Sequence, residues 1–127
     1  MGSAGFDLSA CSDGVVPKGG SSEKINVGVQ FAFPRGTYGH IFSKSSVTLA
    51  GVDVCAGIID SDYRGDVQVV LRNNGDQDWH YKSGQKVAQM LVKRYLSPDP
   101  VSVNKLPSTQ RGDGGFGSTG TGLVASD

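Results

Sequence analysis

Three stretches of this chain bring together side chains suited to work on a phosphorylated substrate. The first is Gly57-Ile58-Ile59-Asp60-Ser61-Asp62-Tyr63-Arg64-Gly65, an apolar run that ends in a turn with two carboxylates, an aromatic ring and a guanidinium. A carboxylate held in such a turn is a candidate general base, because it accepts a proton from an attacking water or hydroxyl. Acidic turns are also common as plain solvated hairpin tips, so this segment alone does not separate the two readings. The second stretch is Ser43-Lys44-Ser45-Ser46. A cation between hydroxyls suits an anionic phosphate oxygen, although an ordinary surface loop has the same composition. The third is Arg111-Gly112-Asp113-Gly114-Gly115-Phe116-Gly117-Ser118-Thr119-Gly120. Its glycines let successive backbone N–H groups wrap an anion, Arg111 adds fixed charge, Ser118 and Thr119 add donors, and Phe116 offers a flat face for a base. A glycine-rich terminus with no ligand reads similarly. The string lacks the Gly-Lys-Ser/Thr ending of a P-loop, which argues against nucleotide-kinase chemistry. Arg111-Gly112-Asp113 spells an adhesion tripeptide, but no secretory context supports that use.

These groups must be carried by short strands. Ile25 to Phe33 has an apolar residue at every odd position, the period of a half-buried strand, and Pro34-Arg35-Gly36 closes it with turn residues. Tyr38–Phe42, Val67–Leu71 and Val87–Tyr95 are further strand segments. Asn73-Asn74-Gly75-Asp76 is a strong turn signal before Trp79-His80-Tyr81, which predicts a hairpin there. Only Ser46 to Ala50 has room for a turn of helix. Strands at roughly ten-residue spacing predict an all-β domain, most simply a jelly-roll β-barrel. From Ser97 the texture changes: Pro98, Pro100 and Pro107 lead into the glycine-rich string, an extended arm and flexible tail. The expected division is a barrel domain over 1–110 and a tail over 111–127.

Composition narrows the function classes. At 127 residues the chain is one domain. Its 37% apolar content is low, and a modest core of this kind often gains stability by oligomerising. Twelve Lys+Arg balance 12 Asp+Glu, so the basic excess of a nucleic-acid or membrane-surface binder is missing. Met1-Gly2-Ser3-Ala4-Gly5 does not open a signal peptide, and no apolar run approaches membrane-spanning length. Cys11 and Cys55 are too few for a disulfide framework and read as reduced packing thiols of an intracellular protein, in cytoplasm or nucleus.

Taken in order, the segments resemble the five motifs of the trimeric dUTPase family. Ala4-Gly5-Phe6-Asp7-Leu8 is similar to motif one, and Pro34-Arg35-Gly36-Thr37-Tyr38-Gly39-His40-Ile41 running to Lys44-Ser45-Ser46 is similar to motif two. Gly51 to Gly65 resembles motif three, Gly84-Gln85-Lys86-Val87-Ala88-Gln89-Met90 motif four, and the Arg111–Gly120 string motif five. The resemblance covers residues 4 to 120. There are departures. Lys44-Ser45-Ser46 stands where most members carry Arg-Ser-Gly, which keeps the charge but loses the bidentate fork of arginine. With Gly-Gln-Lys in motif four, this form resembles retroviral members. His40 stands where arginine is frequent and reads as structural. The chain also starts almost inside motif one, where members usually have a preceding strand, so it is either truncated or naturally short.

The resemblance implies a jelly-roll homotrimer that hydrolyses dUTP to dUMP and pyrophosphate. It makes Asp60 the group that activates a water for attack on the α-phosphorus, with Asp62 the alternative base. Backbone groups from Val54 through Gly57, Ile58 and Ile59 would read the uracil edge, and Tyr63 would pack on the deoxyribose. Lys44, Ser45, Ser46 and Gln89 would contact phosphates. The tail would close over the substrate, with Phe116 stacked on uracil and Arg111, Gly117, Ser118 and Thr119 around the γ-phosphate. Mg²⁺ would bridge the triphosphate largely through water, with Asp7 either meeting that hydration shell or stabilising a subunit interface. Each site would draw motif three from one subunit and motif five from another. Two other readings are a dCTP deaminase, which needs an additional glutamate, and a non-catalytic regulator or binding partner. The sole glutamate, Glu23, sits in a Ser-Ser-Glu-Lys loop away from motif three, which counts against deamination.

Overall fold

The computed structural model describes residues 5–115. Their elements are β1 (Phe6–Ser9), β2 (Gly14–Val16), β3 (Ser22–Asn26), β4 (Thr37–Ser43), α1 (Ser45–Thr48), β5 (Val52–Cys55), β6 (Ile58–Ile59), β7 (Gln68–Asn73), β8 (Trp79–Tyr81) and β9 (Lys86–Arg94). The all-β class expected from short apolar segments is what these residues form. The strands make three sheets, ordered β1-β9-β4-β6, β2-β8 and β3-β7-β5, and their pairings run antiparallel. They do not close into a single hydrogen-bonded ring, which corrects the literal barrel while keeping the jelly-roll class.

The core lies between the sheets. Val16, Val52, Val69, Leu71, Val87, Ala88 and Met90 are fully buried, with Leu8, Ile25, Ile41 and Val47 nearly so. Each large side chain of this kind contributes about 1.5–3 kcal/mol when buried. β4 alternates as a strand with one buried face should: Gly39 and Ile41 point inward while Tyr38, His40 and Phe42 stand half-buried on the other side.

Two local expectations are corrected. The period-two run over 25–33 is right about burial, since Ile25 and Val27 are buried and Val29, Phe31 and Phe33 pack against the core. Regular pairing nevertheless ends at Asn26, because Gly28 takes a φ of 67° that no ladder accommodates. The expected hairpin over Asn73–Tyr81 is not formed. β7 pairs with β3 and β5, whereas β8 pairs with β2. The cause is Asn73, fully buried, whose Nδ2 donates to the carbonyls of Val16 (2.9 Å) and Gln77 (2.8 Å) while its Oδ1 accepts from Gly75 N–H (2.9 Å). An amide satisfied on both ends turns the chain toward β2.

Cys55 is half-buried, but Cys11 is exposed, which corrects the reading of both as packing thiols. Cys11 holds its turn through the backbone, its N–H donating to Asn26 O at 3.0 Å. Among the described residues the chain divides between Ser97 and Pro98. All the regular elements belong to the first unit. In the second, one turn is defined: Gly112 N–H donates to Thr109 Oγ1 (3.1 Å) and Gly114 N–H to Arg111 O (3.1 Å). No described helix is long and apolar enough to cross a membrane.

Candidate active site

The β5–β6 segment leads into the acidic turn. It is not the hairpin its sequence suggests: β5 belongs to the sheet with β7 and β6 to the sheet with β4, so the segment steps from one sheet to the other. At the step sits Ala56, whose φ of 50° is the only positive value outside glycine among the described residues. Left-handed backbone on an alanine is a strained arrangement that surrounding structure must hold. Gly57 follows, and its carbonyl accepts from Ile41 N–H at 2.7 Å. A Cβ there would lie 2.5 Å from the Ile41 carbonyl oxygen, so only glycine permits this closeness. Ile58 and Ile59 then pair with His40 and Gly39.

Asp60 begins the turn and is exposed, with its carbonyl accepting Tyr63 N–H at 3.1 Å. The Tyr63 hydroxyl donates to Asp66 O at 2.7 Å, and Arg64 Nη1 donates to the carbonyls of Ser61 (2.8 Å) and Tyr63 (3.1 Å). These bonds hold the turn in shape and leave the Asp60 carboxylate facing open space. A hollow of about 270 Å³ opens beside it, lined by Ala56, Ile58, Ile59, Asp60 and Tyr63 together with Lys24, Asp66 and Gln68. A second, wider hollow has Tyr38, Ile58, Asp60, Ser61, Asp62 and Tyr95 on its walls. Asp60 therefore borders both, one apolar and one more polar.

The residues expected to meet phosphates gather elsewhere in the same unit. Asp7 stands directly opposite Gln89 across β1 and β9, and Gln89 opposite Phe42 across β9 and β4. Lys44, the N-cap of α1, reaches back so that its Nζ lies 2.7 Å from Asp7 Oδ1, and Lys86 Nζ lies 3.4 Å from Asp7 Oδ2. The Lys44 hydrogen bond, aided by the charge of both lysines, holds the Asp7 carboxyl below its ordinary value of 3.8 against a smaller opposing push from desolvation. Gln89 Nε2 donates to Ser43 O at 3.2 Å. Ser45 and Ser46 are exposed on the first turn of α1. Neither hollow beside Asp60 includes Asp7, Lys44, Ser45, Ser46 or Gln89.

The other expected residues fall as follows. Val54 is half-buried on β5, and its N–H already donates to Ser43 Oγ at 3.0 Å. In the second unit, Arg111 is exposed and its guanidinium Nε donates to Gly114 O. Phe116, Gly117, Ser118 and Thr119 lie outside the described residues. His40 is held neutral, its pKa lowered first by desolvation and then by the charge of Lys93, which agrees with a structural role. Lys24 and Asp66 were not singled out from the sequence. Lys24 occupies an exposed position of β3, and only its pairing with Val70 brings it to the Asp60 hollow.

No group of three or more His, Cys, Asp or Glu able to hold a metal occurs among the described residues. The donor set fits Mg²⁺ only as an ion that travels with a polyanionic substrate and keeps most of its waters.

Comparison with known proteins identifies the family of the chain. A family model described as dUTPase matches residues 1–120. The chain is 42% identical over 120 residues to the deoxyuridine 5'-triphosphate nucleotidohydrolase of Paramecium bursaria Chlorella virus 1, covering 94% of this chain and 84% of the relative. It is 46% identical over 120 residues to the mitochondrial one of Dictyostelium discoideum, covering 94% of this chain and 66% of the relative. Among solved structures, native EIAV dUTPase superimposes with a TM-score of 0.73 at 32% identity, over 83% of this chain and 88% of that one.

Proposed function

The chain belongs to the dUTPase family, and from that premise we propose that it hydrolyses dUTP to dUMP and pyrophosphate, limiting uracil in DNA and supplying dUMP. The observation that carries the reading is the Asp60 carboxylate, exposed on a turn braced by Tyr63 and Arg64 and bordering an apolar hollow. Asp60 takes a proton from a water, whose oxygen attacks the α-phosphorus. The bond from that phosphorus to the bridging oxygen breaks, and pyrophosphate leaves. General-base help of this kind is worth about 10²- to 10⁴-fold. The remainder comes from positioning and charge neutralisation by the chain's cations.

The apolar hollow takes the base and sugar. Ala56, Ile58 and Ile59 offer it backbone and apolar surface, and Tyr63 bears on the deoxyribose. A cytosine would leave a buried backbone donor unpaired, and such mispairing discriminates more strongly than a missing methylene. Lys44, Ser45, Ser46 and Gln89 meet the phosphates. For Lys44 this means exchanging Asp7 for a phosphate oxygen, which frees the Asp7 carboxylate for the hydrated metal. Mg²⁺, when bound with the triphosphate, neutralises its charge. The tail, with Arg111, Phe116, Gly117, Ser118 and Thr119, closes over the substrate and excludes water.

The assembly proposed is a homotrimer with shared sites. Exposed Phe6, Leu49 and Val92, each more than 40% accessible in the single chain, supply apolar surface for subunit contact. An intracellular setting suits a nucleotide substrate and two free thiols. Deamination is disfavoured because Glu23, exposed on β3 rather than in a loop, does not line the Asp60 hollow.

The deciding experiment measures hydrolysis of dUTP, dCTP, dTTP and UTP, each with and without Mg²⁺. Pyrophosphate release from dUTP alone, strengthened by Mg²⁺, is expected. Comparable turnover of dCTP or UTP would reject the base and sugar selection described here, and no turnover of any would point to a non-catalytic protein.

A further inference from the structure

Ser43 is the last residue of β4, and it is bonded on both sides. Its Oγ accepts the Val54 N–H at 3.0 Å, and its carbonyl oxygen accepts Gln89 Nε2 at 3.2 Å. The next residue, Lys44, holds Asp7. One residue thus connects β5, the first arm of the β5–β6 segment, to the strand end that presents Lys44 and Gln89. Resting on the dUTPase reading above, we propose that Ser43 is a positioning residue that sets the base-reading arm of that segment and thereby determines nucleotide selectivity.

The two arms of the segment are held by different means. The second arm is tied by backbone alone: Gly57 O accepts Ile41 N–H, and β6 pairs with β4. Asp60 follows directly from that arm. The first arm pairs with β7 along one edge, and at Val54 its other edge is met by a side chain, the Ser43 hydroxyl. In an antiparallel strand the N–H and C=O of one residue point to the same side. The Val54 carbonyl therefore lies on the edge that Ser43 secures. Two residues on, Ala56 is held at a φ of 50°. A left-handed alanine stays put only while its flanks are fixed, and Ser43 supplies the side-chain bond to the flank on the β5 side.

Loss of the hydroxyl leaves a half-buried N–H without its acceptor. An unmet donor of this kind shifts an equilibrium by about five- to a hundredfold. Because the arm that carries Asp60 is anchored separately, the effect falls on recognition and spares the chemical step. The effect is specific to residue type: threonine keeps the hydroxyl, alanine does not.

The experiment compares wild-type protein, Ser43→Ala and Ser43→Thr, with KM and kcat measured separately for dUTP and dCTP. Thermal melting and gel filtration report fold and assembly. The expected result for Ser43→Ala is a dUTP KM raised about tenfold and a dUTP-to-dCTP selectivity lowered by a similar factor. Its kcat should stay within about twofold, and Ser43→Thr should restore both quantities. A Ser43→Ala protein that loses melting temperature and kcat but keeps its selectivity would overturn the inference, leaving Ser43 a purely structural residue. Unchanged KM and selectivity in both variants would overturn it as well. Either outcome, with wild-type protein active on dUTP, leaves the dUTPase reading standing. An inactive wild type would reject that reading itself.

Discussion

Lys93 Nζ lies 3.0 Å from Nδ1 of His40, across the pair of strands β4 and β9. An ammonium has no lone pair, so Lys93 donates and the imidazole nitrogen accepts, which requires a neutral ring. The same ammonium sits 4.7 Å from the centroid of the Phe42 ring, and His40 meets that ring edge-on at 4.2 Å. Tyr38 stacks on the other side of His40 at 6.5 Å and touches Tyr95. The outward face of β4 is thus an aromatic ladder with one cation, and it runs beside the acidic turn through the pairing of His40 with Ile58.

That arrangement gives stability a pH dependence near neutrality. The folded pKa of His40 lies below its ordinary 6.5, through desolvation first and Lys93 second. Above that value both folded and unfolded chains hold a neutral ring, and His40 contributes no slope. As pH falls through 6.5 the unfolded chain takes up the proton first, so stability drops until the folded pKa is passed. Asp7, with its folded pKa lowered by Lys44 and Lys86, loses its contribution only at acid pH, below its ordinary 3.8. Melting temperature should therefore fall as pH is lowered through 6.5, and His40→Gln should flatten that part of the curve. A wild-type curve as flat as that of His40→Gln would show that the Lys93 contact does not bias the ring.

Asp60→Asn is the test of the base. The amide is nearly isosteric, and no described hydrogen bond of the turn uses the Asp60 side chain, since its brace runs through the Asp60 carbonyl, Tyr63 and Arg64. Fold and dUTP binding should survive while turnover drops at least about a hundredfold, the usual cost of losing a general base. Near-normal turnover in a well-folded Asp60→Asn protein would move the role to Asp62, which faces the wider hollow.

How far the sequence disclosed this molecule depends on whether the cause was local. The alternation from Ile25 to Phe33 foretold which side chains turn inward, because side-chain direction follows chain geometry. It did not foretell that pairing stops at Asn26, which needs the left-handed φ of Gly28. Asn73-Asn74-Gly75 announced a turn, but the partner of β8 was decided by Asn73 bonding to Val16, 57 residues earlier. The acidic turn was legible as a string because its bracing bonds span only three residues or fewer. The Asp7–Lys44 pair spans 37 residues and the approach of Lys24 to Asp60 depends on strand register, so neither contact has a local signature.

Shared sites make a prediction of their own. Every regular element among the described residues lies within Phe6–Arg94, so deleting residues 111–127 should leave a folded protein with badly impaired catalysis, because the proposed lid is gone. Unfolding of that truncation would make the tail structural. Asp60→Asn homotrimers should be equally inactive for a different reason. If Asp60 and the tail serve one site from different subunits, co-folding the two chains should restore activity, because some junctions then receive an intact Asp60 and an intact tail. A closed ring of identical subunits places the same groove at every junction, which is where ligands often bind. Pro98, Pro100 and Pro107 stiffen the segment before Arg111 and favour reach across a junction over folding back. Turnover in verified mixed trimers is thus expected to rise well above that of either parent, read as pyrophosphate release per trimer. No recovery would mean that each site is built within one chain, and the dUTPase reading would stand without shared sites.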